Sequence, residues 1–179
     1  NLGMKNIKLG DSILVSGTIG DHGTTVMLAR EQFGLSGNLQ SDSTSVLPIT
    51  NCLIKLPGLR FMRDPTRGGI ATIAHEIARA TDKTVRFYES TIPINDQVKV
   101  VSEILGYDPL YLACEGRVLS VIDNVYAEIA VKELHGLGFS DAAIIGQIEN
   151  GSAYAMIETL LGGERILQEL EDDPLPRIC

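Results

Sequence analysis

Residues 142–170 read AAIIGQIENGSAYAMIETLLGGERILQEL, and the reading of this stretch decides the fold class. Three apolar runs follow one another, at 142–149, 152–159 and 164–170, with no helical pattern between them. Asn150-Gly151 stands at the first junction and Gly162-Gly163 at the second. Asn-Gly between two β-runs is the strongest short hairpin signal. The stretch therefore predicts a meander of three strands.

Working outward from it, the rhythm differs. DSILVSG (11–17), LRFMRD (59–64), KTVRFYES (83–90) and GRVLSVI (116–122) read as strands, and helical patterns stand between them. One helix is expected from near Thr24 to Gly34, and a loop over 35–45. A short apolar helix at LPITNCLIKLPGL (47–59) closes at Pro57-Gly58. Ile70, Ile73, Ala74, Ile77 and Ala78 share one face of a helix over 68–81. NDQVKVVSEILG (95–106) puts Val98, Val101 and Leu105 inward, with Gly106 as its stop. An amphipathic helix at 124–138 precedes the meander. Helices interleaved with strands and then a run of strands specify an α+β domain, a mixed or antiparallel sheet flanked by helices. The expected organisation is one domain over 1–170 and a tail over 171–179.

Composition narrows the function classes. The chain has 179 residues, 44% hydrophobic, with a formal charge of −8 and no basic run. That balance argues against nucleic acid and against an anionic membrane surface as partner. No apolar stretch approaches the roughly 20 residues of a membrane span, and no charged-then-apolar leader opens the sequence. Cys52, Cys114 and Cys179 have no metal-ligand spacing, and three cysteines give no disulfide framework. A reducing, cytoplasmic setting is expected. The chain starts at Asn1 and runs quickly into a strand, so it is expected to be a piece of a longer protein.

Four stretches can carry chemistry. RDPTRGG (63–69) joins a strand to a helix. Thr66 can cap that helix, and Gly68 and Gly69 leave first-turn amides bare for an anion. Asp64 could hold a metal or orient a phosphate. The plainer alternative is an ordinary capped helix with glycines for close packing. In GTIGDHG (17–23), Asp21, His22 and Gly23 form a polar turn that could bind a substrate or shuttle protons, or hold a satisfied loop histidine. In LACEGR (112–117), Glu115 stands beside a buried apolar run, where a carboxylate can act as a base; an exposed edge glutamate is the alternative. Cys114 has no base near it in sequence and reads as a small core residue, like Cys52.

The fourth stretch is the tail, EDDPLPRIC. Its acidity and prolines disfavour packing and favour an extended form that reaches roughly 28 Å at about 3.1 Å per residue. The terminal Cys179 is an exposed thiol that needs a reason. It is not a prenylation signal, which needs a cysteine four from the end.

Together GTIGDHG, DPTRGG, LACEGR and the terminal PRIC resemble the HypE family of hydrogenase maturation factors. That family lies in the aminoimidazole ribonucleotide synthetase (PurM-like) superfamily with selenophosphate synthetase. The likeness covers essentially the whole chain and implies the fold of the PurM C-terminal domain. It implies a carbamoyl dehydratase. The carbamoyltransferase HypF loads a carbamoyl group on Cys179, and ATP-dependent dehydration leaves a thiocyanate. The cyano group then passes to iron held by HypC and HypD, on the way to the Fe(CN)₂CO centre of [NiFe]-hydrogenase. Glu115 is the implied base. Asp64, Thr66, Arg67, Gly68 and Gly69 fall on the nucleotide-phosphate side. Asp21, His22, Gly23 and Arg177 fall at tail docking, and no metal ligand falls in this chain.

The likeness also implies an N-terminal domain that supplies Mg²⁺-ATP ligands and most of a homodimer interface, so that this half alone is inactive. Cys114 departs from the family pattern, which usually has Asn there, and puts any hydrogen bond made from that position in doubt. Two other readings remain open: a non-catalytic carrier or docking module, and another ATP-dependent amide-phosphorylating enzyme of the superfamily.

Overall fold

The computed structural model describes residues 2–30 and 39–170. The helices are α1 (Asp21–Arg30), α2 (Leu47–Leu53), α3 (Gly69–Thr81), α4 (Asp96–Leu105) and α5 (Asn124–Gly136). The strands are β1 (Ser12–Val15), β2 (Leu59–Arg63), β3 (Thr84–Tyr88), β4 (Leu119–Ile122), β5 (Ala143–Glu149), β6 (Ala155–Glu158) and β7 (Glu164–Ile166). Among the described residues these strands form one sheet in the order β2-β4-β1-β5-β3-β6-β7. The β3–β6 pair is parallel, and the other pairs are antiparallel. The α+β expectation and the mixed sheet flanked by helices are both met.

Alternation along β1 shows how the layers are built. Ile13 and Val15 enter one core with α3, while Leu14 enters a second core with α2 and α5. Successive strand side chains point to opposite faces, so a central strand covered on both sides must be apolar throughout. On α3, Ile70, Ile73, Ala74, Ile77 and Ala78 are all at most 1% exposed, as their helical spacing predicts. Each isoleucine so buried contributes about 1.5–3 kcal/mol of transfer free energy. On α4, Val98 and Val101 are buried, with Ser102 rather than Leu105 completing the inward face.

Three expectations are corrected. The helix expected near Thr24 begins at Asp21; its expected end at Gly34 lies outside the described residues. The hairpin at Asn150-Gly151 does not form, because β3 lies between β5 and β6. The chain turns there and passes over the end of β3. Thr84 Oγ1 donates to Ser152 O at 2.8 Å, and Val85 N–H donates to Tyr154 O at 3.1 Å. The second junction does close a hairpin, between β6 and β7, with Glu158 opposite Glu164. β7 is shorter than expected, since the chain beyond Ile166 leaves the ladder.

Candidate active site

One loop, 112–115, holds three of the marked stretches together. Gly23 N–H donates to Ala113 O at 3.0 Å and Cys114 N–H donates to Pro65 O at 2.9 Å. Glu115 N–H donates to Asp42 Oδ1 at 3.2 Å. GDHG, DPTRGG and ACEGR therefore converge on one edge of the fold. The convergence depends on small residues: a Cβ on Gly23 would stand 3.0 Å from Ala113 N and from Leu112 Cβ.

The DPTRGG turn enters α3 without a side-chain cap. Gly68 is the N-cap, with φ 65°, and no side chain caps the helix, which corrects the expectation for Thr66. Thr66 is half-buried, and Asp64 and Arg67 are exposed. Gly69 also has a positive φ of 57°, and a Cβ there would lie 2.4 Å from Leu110 O. Glycine meets both demands at once, a left-handed backbone and a close approach. The first-turn amides of α3 have no partner within the helix.

In the GDHG turn, Asp21 is buried at the start of α1 and accepts hydrogen bonds from Thr18 Oγ1 and from Asn95 Nδ2, the latter at 2.6 Å. His22 Nδ1 shares a hydrogen bond with Ser41 Oγ at 2.9 Å. The residues that organise this corner were missed in the sequence: Asp42 and Arg117. Arg117 donates to Thr18 O at 3.0 Å and to Thr18 Oγ1 at 3.1 Å, and stands 3.7 Å from both Asp21 and Asp42. The Asp42 side chain is 0% exposed, and its Oδ2 has no hydrogen-bond partner. Thr18, Asp21, Asp42, Asn95 and Arg117 line a polar cleft of about 490 Å³. Arg117 carried a signal, as the last residue of LACEGR. Asp42, in a run of serines, carried none.

Glu115 is exposed, so the buried setting that would favour a base is not formed by the described residues; its backbone is fixed while its side chain faces outward. Cys114 is wholly buried, accepts from Gly20 N–H at 3.4 Å, and burial pushes its thiol up to about 12. A thiol kept protonated in a core is not a nucleophile, as the sequence reading held. Cys52 is half-buried against the second core, where burial likewise raises its thiol. Cys179 and Arg177 lie outside the described residues. Among the described residues no three His, Cys, Asp or Glu side chains converge to hold a metal, and no helix is long and apolar enough to cross a membrane.

The mixed seven-stranded sheet, with its strand-to-helix DPTRGG turn stitched to a Glu-bearing loop, defines a class. Residues 8–158 match the family "AIR synthase related protein, C-terminal domain", and the chain belongs to that family. Within it, the chain is 38% identical over 179 residues to carbamoyl dehydratase HypE of Escherichia coli (strain K12), covering 99% of this chain and 53% of that protein. The crystal structure of E. coli HypE superposes with a TM-score of 0.94, over 100% of this chain and 56% of that one. A hydrogenase maturation protein HypE in complex with ATP matches at TM-score 0.90 and 33% identity, over 97% and 54% of the two chains. A HypE–HypF complex matches at 0.89 and 38%, over 97% and 56%. The chain spans about half the length of the curated relatives that it matches.

Proposed function

We propose that this chain is the C-terminal half of an ATP-dependent carbamoyl dehydratase serving [NiFe]-hydrogenase maturation, with Cys179 as the carrier of the reacting group. The observation that supports it best is the convergence of GDHG, DPTRGG and ACEGR on the 112–115 loop. Similarity to HypE proteins, one in complex with ATP and one with HypF, points the same way.

The chemistry asked of the site is a dehydration. An S-carbamoyl group on Cys179 has a poor leaving oxygen. Transfer of the γ-phosphoryl group of ATP to that oxygen, with loss of the first of the two nitrogen protons, gives an S-bound iminophosphate and ADP. Removal of the nitrogen proton then expels phosphate, and the C≡N bond forms on sulfur. Glu115 is the base in this scheme. The amides at Gly68–Gly69 and the α3 dipole hold phosphate oxygens, with Arg67 and Asp64 at the rim. Asp21, His22 and Gly23 guide the tail, with Arg177 pairing to a carboxylate or a phosphate. Mg²⁺, when bound, neutralises the phosphate charge, and its ligands are assigned to the N-terminal domain implied by the relatives' greater length. HypF supplies the carbamoyl group, a HypC–HypD complex takes the cyano group, and the full-length protein is a homodimer.

The test is intact-mass analysis of the full-length protein with HypF, carbamoyl phosphate and ATP. An S-carbamoyl adduct on Cys179 that converts to a thiocyanate is expected. An unchanged adduct in Cys179→Ala would sink the assignment. Undiminished dehydration in Glu115→Gln would leave this half as a carrier without a base.

A further inference from the structure

One buried oxygen of the polar cleft lacks a hydrogen-bond partner among the described residues. The Asp42 side chain is 0% exposed; its Oδ1 accepts from Glu115 N–H at 3.2 Å, and its Oδ2 accepts from nothing. Its neighbours are otherwise committed. Asp21 has both oxygens occupied, by Thr18 Oγ1 and by Asn95 Nδ2. Arg117 uses Nε on Thr18 O and one terminal nitrogen on Thr18 Oγ1. It is seated on bare backbone, since a Cβ on Gly17 would lie 2.8 Å from Arg117 Nε. The Arg117 side chain is still 18% exposed and lines the cleft. A buried carboxylate oxygen left without a donor is costly. In a cleft of about 490 Å³ that donor can come from a ligand.

The surroundings select the donor. An anion is repelled by Asp21 and Asp42. An ammonium or a metal ion at Asp42 Oδ2 would stand beside Arg117 Nε, which is 3.7 Å from that same oxygen, and like charges at such range oppose each other. A neutral N–H escapes both penalties, and a carbonyl next to it can accept from the Arg117 guanidinium. We infer that Asp42 and Arg117 form a primary-amide site, in which the amide N–H donates to Asp42 Oδ2 and the amide oxygen accepts from Arg117. The inference deepens the proposed function and rests on it for the occupant, because a carbamoyl group on sulfur is a primary amide. The Asp42 carboxylate is then shared, with one oxygen on the Glu115 backbone and the other on the amide nitrogen. The nitrogen that must lose its protons is held next to the residue assigned as base.

The probe is S-methyl thiocarbamate, offered to the full-length protein without HypF or ATP and followed by saturation-transfer NMR. Saturable binding is expected. S-methyl thioacetate, with a methyl group in place of the NH₂, should not displace it, nor should methylammonium. Asp42→Asn sets an NH₂ against the amide donor while its Oδ1 still accepts from Glu115, and should weaken binding about tenfold or more. Displacement by the thioacetate would show an apolar fit alone, and displacement by methylammonium a cation site. No saturable binding would leave the carboxylate to water. Each of these overturns the inference, as does full affinity in folded Asp42→Asn. Where that variant melts far below wild type, the three probes on unsubstituted protein decide. Probe binding without a carbamoyl adduct from HypF would sink the proposed function and keep the amide site. A normal adduct on protein that ignores the probe would sink the site alone.

Discussion

Gly116 is packed directly on the backbone of Asp42: a Cβ added at 116 would lie 1.9 Å from the Asp42 carbonyl oxygen. That contact holds the two strands of loop that place Glu115, whose N–H donates to the Asp42 carboxylate. Gly116→Ala must push these segments apart. Overpacking of this kind costs about 1–3 kcal/mol, and a backbone oxygen yields less readily than a side chain. A loss of about 2–3 kcal/mol in urea denaturation is expected, together with slowed dehydration. Wild-type stability in this variant would show that the loops are not in contact.

Arg117 neutralises a corner that two acids share. Its removal leaves Asp21 and Asp42, with side chains 3% and 0% exposed, without their cation. Breaking a buried pair by deleting one partner costs about 3–5 kcal/mol; at 3.7 Å from either acid the lower end applies. Arg117→Ala is therefore expected to lose about 3 kcal/mol, and Asp42→Asn in that background should restore part of it. Strictly additive effects in a double-mutant cycle would show the pair to be uncoupled.

How much of this corner could be read in advance differs by residue. The strands and α3 were legible, because an apolar period is a local property that tertiary packing preserves. The α3 turn was legible as glycine-bearing and misread as Thr66-capped, since sequence shows a capping residue but not the left-handed φ that moves the cap to Gly68. Asn150-Gly151 did mark a turn. What it could not show is that β3 is inserted between the strands on either side, a fact about segments sixty residues away. Asp42 looked like any solvated loop acid; its buried side chain meets Arg117 and the Glu115 N–H, which only the fold brings near.

The paired glycines of the α3 turn are constrained twice. Gly69→Ala places a Cβ 2.4 Å from Leu110 O at a φ of 57°, so strain and overlap add. About 2–4 kcal/mol is expected, summing a left-handed backbone cost of about 1 kcal/mol or more and an overpacking cost of about 1–3 kcal/mol. Gly69→Ala melting within a degree of wild type would contradict the turn geometry.

Cys114 should be chemically silent. In folded protein at pH 8, iodoacetamide followed by peptide mass mapping should leave it unmodified, and alkylation should appear only on denaturation. The linked effect on stability has a definite sign. Burial raises the thiol from its ordinary 9.0 to about 12, so the folded state keeps a proton that the unfolded chain releases. This contribution is whole below about pH 9 and is lost as pH rises toward 12, at up to about 1.4 kcal/mol per pH unit. Tyr88 and Tyr111 are also raised by burial and act in the same direction. Comparison with Cys114→Ala isolates the thiol: the variant should lose stability less steeply between pH 9 and 11, and parallel slopes would refute the shift.

The position of β1 governs the order in which this fold can be assembled. Ser12 pairs with Ile122 on one side and with Gln147 on the other. A chain emerging from the ribosome exposes β1 early, with both of its hydrogen-bonding edges bare, and must wait for β4 and then β5. Contacts so distant in sequence are slow to close, and an unpaired apolar strand is a template for another chain. A chain that ends after α5 leaves β1 open along one edge, and only β5, through Gln147, closes it.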